Sequence, residues 1–208
     1  MADEVEFNGG KLIHSKVTDK VNSKIEKGTL VAVHAIVLHQ TGASTSASSL
    51  SSYDRGANGA HFLIDTDGAI FQTARIDQKC WHVGQVRSRC MEMKSCSADE
   101  LKTNNAILFK KGESYNLRVG KLYLNEATKS YPARYPLNED SLGIEIVGSF
   151  DAKAKAYAAV GKDQNDSLAW LVGVLNTKLS LTDDDVFRHG EIGYKQATEA
   201  STAQWKQP

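Results

Sequence analysis

Neither sign of charge is in excess in this chain: 25 Lys and Arg stand against 25 Asp and Glu in 208 residues. That balance removes the electrostatic argument for nucleic acid or an anionic membrane as a partner. No apolar run is long enough to span a bilayer, so no membrane insertion is expected. The opening stretch Met1-Ala-Asp-Glu-Val-Glu6 is acidic. It lacks the basic segment and following apolar run of a signal peptide, and none is read there. There are three cysteines, Cys80, Cys90 and Cys96. An odd count makes a full disulfide framework a poor reading, and none has the Cys-x-x-Cys spacing of metal ligands. Cys90 and Cys96 share a polar, loop-like segment and could pair in an oxidising compartment; three free thiols is an equal alternative.

What is present describes one soluble globular domain. Hydrophobic residues make up 41% and charged residues 24% of a length that buries a substantial core. The stretch from Val31 to Thr41 is short, apolar and β-branched, and reads as a buried strand with His39 at its end. Residues 1 to about 28 are polar and read as a strap or short helix on the surface. Ser44 or Ser46 is read as the cap of a helix running through Leu50 to about Tyr53. His61–Asp65 and Ala69–Thr73 flank Thr66-Asp67-Gly68, and Asp-Gly between apolar runs is a hairpin signal. Cys80–Gly84 reads as a short extended piece. Residues 85–140 are polar, with a hairpin expected at Tyr115–Leu124 and an extended segment at Tyr131–Pro136. They read as an insertion in a single domain of residues 1–208, and 1–30 as an N-terminal extension. Leu142–Gly148 is another buried strand. Asp166–Leu179 carries apolar residues at helical spacing, with Asp166 or Ser167 as cap. Strands and helices mix without strict alternation, which points to an α/β (α+β) fold, a central mixed β-sheet flanked by helices.

Four polar residues fall on or beside these strands. His39 ends one, His61 starts another, Glu145 sits inside a third, and His189 follows the short run Val186-Phe-Arg188. A lone histidine is most often a packing or hydrogen-bonding residue. Glu145 is harder to set aside, because a buried glutamate costs several kcal/mol unless it is paired or used. A cation beside it would offset that cost. Catalytic zinc takes three protein ligands and leaves a fourth position open. His39 and His189 can supply two imidazoles and Glu199 a carboxylate, although spacing alone is weak evidence.

Five blocks in order make a more specific pattern. Ile36-Val-Leu-His-Gln-Thr41 resembles the first zinc-ligand strand of the zinc-dependent N-acetylmuramoyl-L-alanine amidases, a family that includes the peptidoglycan recognition proteins. Gly59-Ala-His-Phe-Leu-Ile-Asp-Thr-Asp-Gly-Ala-Ile70 resembles its His-Phe-Leu-Ile, Asp-Gly hairpin. Cys80-Trp-His-Val-Gly84 resembles its Trp-His-Ala-Gly block, and Ser141–Gly148 its Ser-Ile-Gly-Ile-Glu block. Arg188-His-Gly-Glu-Ile-Gly193 through Glu199 resembles its last, ligand-bearing block. The resemblance implies a zinc site in a surface groove, with ligands His39, His189 and Glu199 and with Glu145 as catalytic carboxylate. It implies that His61, Trp81 and His82 line the groove or support the site. It also implies peptidoglycan as substrate, cut at the amide between N-acetylmuramic acid and L-alanine.

The chain departs from the family pattern at its far end. The third ligand position holds Glu199 where Asp or Cys is usual. The lysine often found two residues earlier is replaced by Ala197, which leaves Lys195 as a catalytic candidate from another register. The usual Pro-Gly after the ligand is Ala200-Ser201. A substrate outside the cytoplasm and a start without a signal peptide fit an antibacterial effector delivered by a type VI-like, non-Sec route to the periplasm of a target cell, with an immunity protein as partner. A lysin, a cytoplasmic wall-recycling amidase and a non-catalytic recognition module are the alternatives.

Overall fold

The structure is a computed structural model, and it describes residues 4–56 and 58–206. In chain order the strands and helices are β1 Glu6–Asn8, β2 Lys11–Ile13, β3 Val17–Asp19, β4 Glu26–Thr29, β5 Ala35–Gly42, α1 Ser46–Tyr53, β6 Phe62–Ile64, β7 Ile70–Gln72 and β8 Gln78–Cys80. There follow α2 Arg89–Glu92, α3 Ala98–Leu108, α4 Tyr115–Ala127, β9 Ser141–Asp151, β10 Ala156–Tyr157, α5 Lys162–Leu179, β11 Val186–Arg188 and α6 His189–Ile192. The main sheet runs β11-β5-β9-β6-β7-β3, with β10 hydrogen-bonded to the far end of β9. Strands β11, β5, β9 and β6 are mutually parallel, and β7 returns antiparallel to β6. The sheet is therefore mixed and carries helices on its faces.

Alternation along the central strands separates packing from chemistry. Ile36 and Leu38 of β5, Leu142, Ile144 and Ile146 of β9, and Phe62 and Ile64 of β6 are buried in one cluster with Leu168, Leu171, Val172 and Leu175 of α5. The α5 residues recur at helical spacing, so one stripe covers the sheet. The intervening residues face the other way. There Val37 packs with Val83, Val86, Tyr135, Leu137 and Ile192, and the polar members of the same rows form the site.

Several sequence expectations are corrected. The strand starts at Ala35 rather than Val31, because its ladder begins with Ala35 opposite Ser141. Val31 has no such neighbour and is 93% exposed. Residues 4–28 form short strands, and β3 joins the main sheet beside β7. Tyr115–Leu124 is not a hairpin but most of α4: Ser114 caps it by accepting from Leu117 N, and Val119 and Leu122 are buried on one side. Helix α3, which was not anticipated, opens with a capping box between Ser97 and Glu100. Helix α5 begins at Lys162, with Gly161 N–H donating to Gln164 Oε1. Ser167 instead donates to Gly68 O. The α1 cap is Thr45, not Ser44 or Ser46. Residues 131–133 turn rather than extend, and regular pairing after Gln78 stops at Cys80. The Asp67-Gly68 hairpin is as expected, with Gly68 at φ +84°. Cys90 and Cys96 form a disulfide, while Cys80 is a buried free thiol.

Candidate metal centre and active-site groove

The parallel ladder places His39 of β5 opposite Glu145 of β9, and Glu145 opposite Leu63 of β6. Paired residues point to one side of a sheet, so the imidazole and the carboxylate emerge together on the face away from α5. Strand β11 pairs with β5 through Arg188 opposite Leu38. The next residue, His189, therefore arrives beside His39. Glu199 comes from the following loop. Three features hold that loop. Ala200, at φ +55°, turns the chain sharply after the carboxylate. Its N–H donates to Gln40 Oε1, and Gln40 Nε2 donates to Ala158 O. Gly190 leaves the space underneath, for a Cβ there would lie 2.6 Å from Gln196 O.

These supports bring three potential ligand atoms into one cluster. His39 Nδ1 lies 2.9 Å from His189 Nδ1 and 3.4 Å from Glu199 Oε1, and His189 Nδ1 lies 2.9 Å from the same oxygen. All three residues are buried. A single Nδ1 proton cannot serve both of its neighbours at once, so the arrangement directs more lone pairs inward than protons are available to separate them. Tetrahedral zinc with bonds of about 2.0–2.1 Å separates its ligand atoms by roughly 3.3 Å. The donor set and its spacing therefore fit zinc after slight expansion.

Behind the cluster, His39 Nε2 meets His82 Nδ1 at 3.1 Å, and His82 Nε2 lies 3.3 Å from Ser141 O. Backbone bonds fix His82 itself, as Asn138 Oδ1 accepts from the N–H of both His82 and Val83. His61 does not reach the groove. It is fully buried, accepts from Gly143 N–H at Nδ1, and has Gln78 O 2.8 Å from Nε2. Burial holds His61 down to about 4. Burial, then the neighbouring His189, does the same for His39. His82 is also pushed well below the ordinary range by burial and by His39 and His61. These rings are neutral near pH 7, the state in which an imidazole can ligate a metal. Burial opposes ionisation of Glu199, but the adjoining His189 and His39 rings outweigh it and take the carboxyl down to about 2.

Glu145 differs. Burial and then the Glu199 charge push it up to about 8, against a smaller downward pull from Lys195. Its Oε2 is buried and has no hydrogen-bond partner among the described residues. It lines a groove of roughly 480 Å³ shared with the three clustered residues, His82, Trp81 and Lys195. Lys195 is exposed at the wall, and Ala197 is exposed further along the loop. Trp81 is 49% exposed and carries the Lys27 ammonium 5.2 Å from its ring centre. The groove also includes Gln40, Tyr53, Arg55 and Tyr157, which sequence reasoning did not single out. Burial, then Glu199 and Glu145, raise Tyr157 to about 12. Only Gln40 carried a signal, as a polar residue inside an apolar strand.

A sequence model of the N-acetylmuramoyl-L-alanine amidases matches residues 29–203. The chain belongs to the N-acetylmuramoyl-L-alanine amidase family. The match runs through α2, α3 and α4 and begins at the end of β4. No curated protein matches the amidase chain. Among solved structures it resembles a selenomethionine derivative of AmpD, at 17% identity and TM-score 0.55, over 97% of this chain and 94% of that one. It also resembles the endolysin amidase LysCS from Clostridium intestinale, at 16% identity and TM-score 0.50, over 87% and 85% of the two chains. At these identities the likeness concerns the amidase fold.

Proposed function

We propose that this chain is a zinc-dependent peptidoglycan amidase that hydrolyses the amide between the lactyl group of N-acetylmuramic acid and L-alanine of the stem peptide. The observation that carries this reading is the convergence of His39, His189 and Glu199 beside the half-buried Glu145, whose Oε2 is buried without a partner at an open groove. A non-catalytic recognition module would not need that carboxyl, whose burial stabilises nothing by itself.

His39 and His189 would hold the ion through Nδ1, and Glu199 through Oε1. Zinc, when bound, supplies Lewis-acid chemistry for water and for the scissile carbonyl, and its charge lowers the pKa of a neighbouring carboxyl. The Glu145 carboxylate, which lines the groove, then accepts a proton from the attacking water and delivers it to the leaving nitrogen. The C–N bond breaks, leaving a lactyl carboxylate and a free alanine amino group. Lys195 places a positive charge at the groove wall, where it can stabilise the developing oxyanion. Trp81 offers an aromatic face at the rim for substrate, and His82 backs the first ligand.

Zinc-reconstituted protein should release stem peptide from muropeptides, and His39→Ala and Glu145→Gln should each reduce the rate by at least about 10²-fold. Full activity in either variant would sink the assignment. The setting we infer is delivery to the periplasm of a target cell, as an antibacterial effector with an immunity partner. The Cys90–Cys96 disulfide supports an oxidising destination. Toxicity on periplasmic but not cytoplasmic expression is expected; equal toxicity in both compartments argues against it.

A further inference from the structure

We propose that His82 is a positioning residue for the metal centre: it fixes the tautomer and ring orientation of His39, so that His39 offers a bare Nδ1 to the cation. The proposal rests on the reading of His39, His189 and Glu199 as zinc ligands, but it concerns a residue outside that set.

Proton placement along the chain of hydrogen bonds starts from Ser141. Its backbone oxygen can only accept. Its hydroxyl donates to Leu137 O at 2.6 Å, which leaves only a lone pair for the His82 ring 3.4 Å away. Both neighbours of His82 Nε2 are thus acceptors, and Nε2 must carry the proton. A neutral His82 then has a bare Nδ1, facing His39 Nε2 at 3.1 Å. That contact is a hydrogen bond only if His39 Nε2 donates. With its proton at Nε2, the neutral His39 ring has a lone pair at Nδ1, the atom nearest His189 and Glu199. A metal-ligating imidazole is commonly oriented by such a partner on its second nitrogen. Here the partner is another imidazole anchored to a strand carbonyl.

The surroundings are shaped for this ring. A Cβ at Gly143 would lie 2.8 Å from His82 Cγ and Nδ1 and 3.1 Å from Ala60 Cβ, so glycine at this point of β9 makes the room. His61 accepts from Gly143 N–H at 3.0 Å and stands edge-on to His82, with ring centres 5.7 Å apart. Asn138 fixes the backbone of His82 through its N–H.

Two readouts test the role apart from activity. In metal-free, nitrogen-labelled protein, His39 should show the Nε2–H tautomer by long-range nitrogen–proton correlation. Competition with a chromogenic chelator should then show zinc held about 10- to 100-fold more weakly by His82→Leu. His82→Asn keeps an acceptor oxygen where Nδ1 stood, and should restore most of the affinity. A merely structural role would not distinguish Asn from Leu in this way. If His82→Leu fails to fold, Gly143→Ala displaces the same ring and should weaken zinc in the same direction. Parent-like zinc affinity in the folded His82→Leu variant, or in Gly143→Ala if that variant does not fold, would overturn the proposal. So would an Nδ1–H tautomer of His39 in the metal-free parent. A parent that binds zinc with this tautomer yet leaves muropeptides intact would overturn the amidase reading and leave the role of His82 standing.

Discussion

Glu145 concentrates the conflict between folding and chemistry. In the metal-free protein its pKa stands at about 8 against an ordinary 4.5, because burial and Glu199 disfavour the charged form. The folded state therefore keeps a proton that the unfolded chain releases. Folding carries no penalty from this group below pH 4.5, and the penalty grows as pH rises from 4.5 to about 8. Histidines whose pKa is lowered by burial, such as His39 and His61, act in the opposite sense at lower pH and do so equally in parent and variant. In chelator, Glu145→Gln should match the parent near pH 4.5 and exceed it by a few kcal/mol near pH 8. Urea midpoints at the two pH values measure this, and a constant difference would contradict it. The same substitution removes the proposed base, so greater stability should accompany loss of hydrolysis.

At the scale of elements, the site depends on the junction of β11, α6 and the Glu199 loop. Gly190→Ala would place a Cβ 2.6 Å from Gln196 O and 3.2 Å from Glu199 O, both backbone atoms. The loop must move, so the variant should lose about 1–3 kcal/mol of stability. It should also bind zinc more weakly than a control such as Gly173→Ala, where a Cβ meets nothing within 4 Å. Urea unfolding and zinc titration read the two effects, and equal zinc affinity in the two variants would contradict the arrangement. The same elements explain what was legible beforehand. His39, Glu145 and His189 stood out because each lies in or next to a short apolar run, where a polar residue is conspicuous. The sheet followed from the same runs. Helix α4 was hidden by its mixed composition: Gly120 and the β-formers Tyr115, Val119 and Tyr123 suggest strands, while burial of Val119 and Leu122 decides for a helix. Helix α3 was missed: Ser97 and Glu100 form a capping box at its start, but its interior has weak apolar periodicity. His61 matched the family pattern by position, yet only the three-dimensional structure shows both its nitrogens turned to backbone atoms. The contact of His82 with His39 joins residues 43 positions apart and had no local signal.

Across the whole molecule, one sheet divides the labour. One face is sealed by α5, and the other carries the groove. The region between β8 and β9 is tied to the site side of the sheet. Arg87 Nε donates to Gly193 O, and the Arg89 guanidinium lies 5.6 Å from the Phe187 ring centre. Buried Asn104 of α3 donates to Ser88 Oγ and accepts from Asn125 of α4. The Cys90–Cys96 disulfide closes a short loop between α2 and α3. For so short a loop, chain entropy assigns it about 2 kcal/mol. The paired change Cys90→Ser with Cys96→Ser should therefore lower the melting temperature by several degrees, whereas Cys80→Ser should respond only to loss of its own buried packing. A double variant that melts like the parent would contradict this. The proposed ligands come from residues 39, 189 and 199, so the cluster assembles only when the sheet is complete. The most direct test of the amidase reading is digestion of a defined muropeptide by zinc-loaded protein in heavy-oxygen water, followed by mass spectrometry. The account requires the heavy oxygen in the lactyl carboxylate of N-acetylmuramic acid, together with an unlabelled peptide that begins with L-alanine. Label in the peptide, cleavage at another bond, or an intact muropeptide would contradict it.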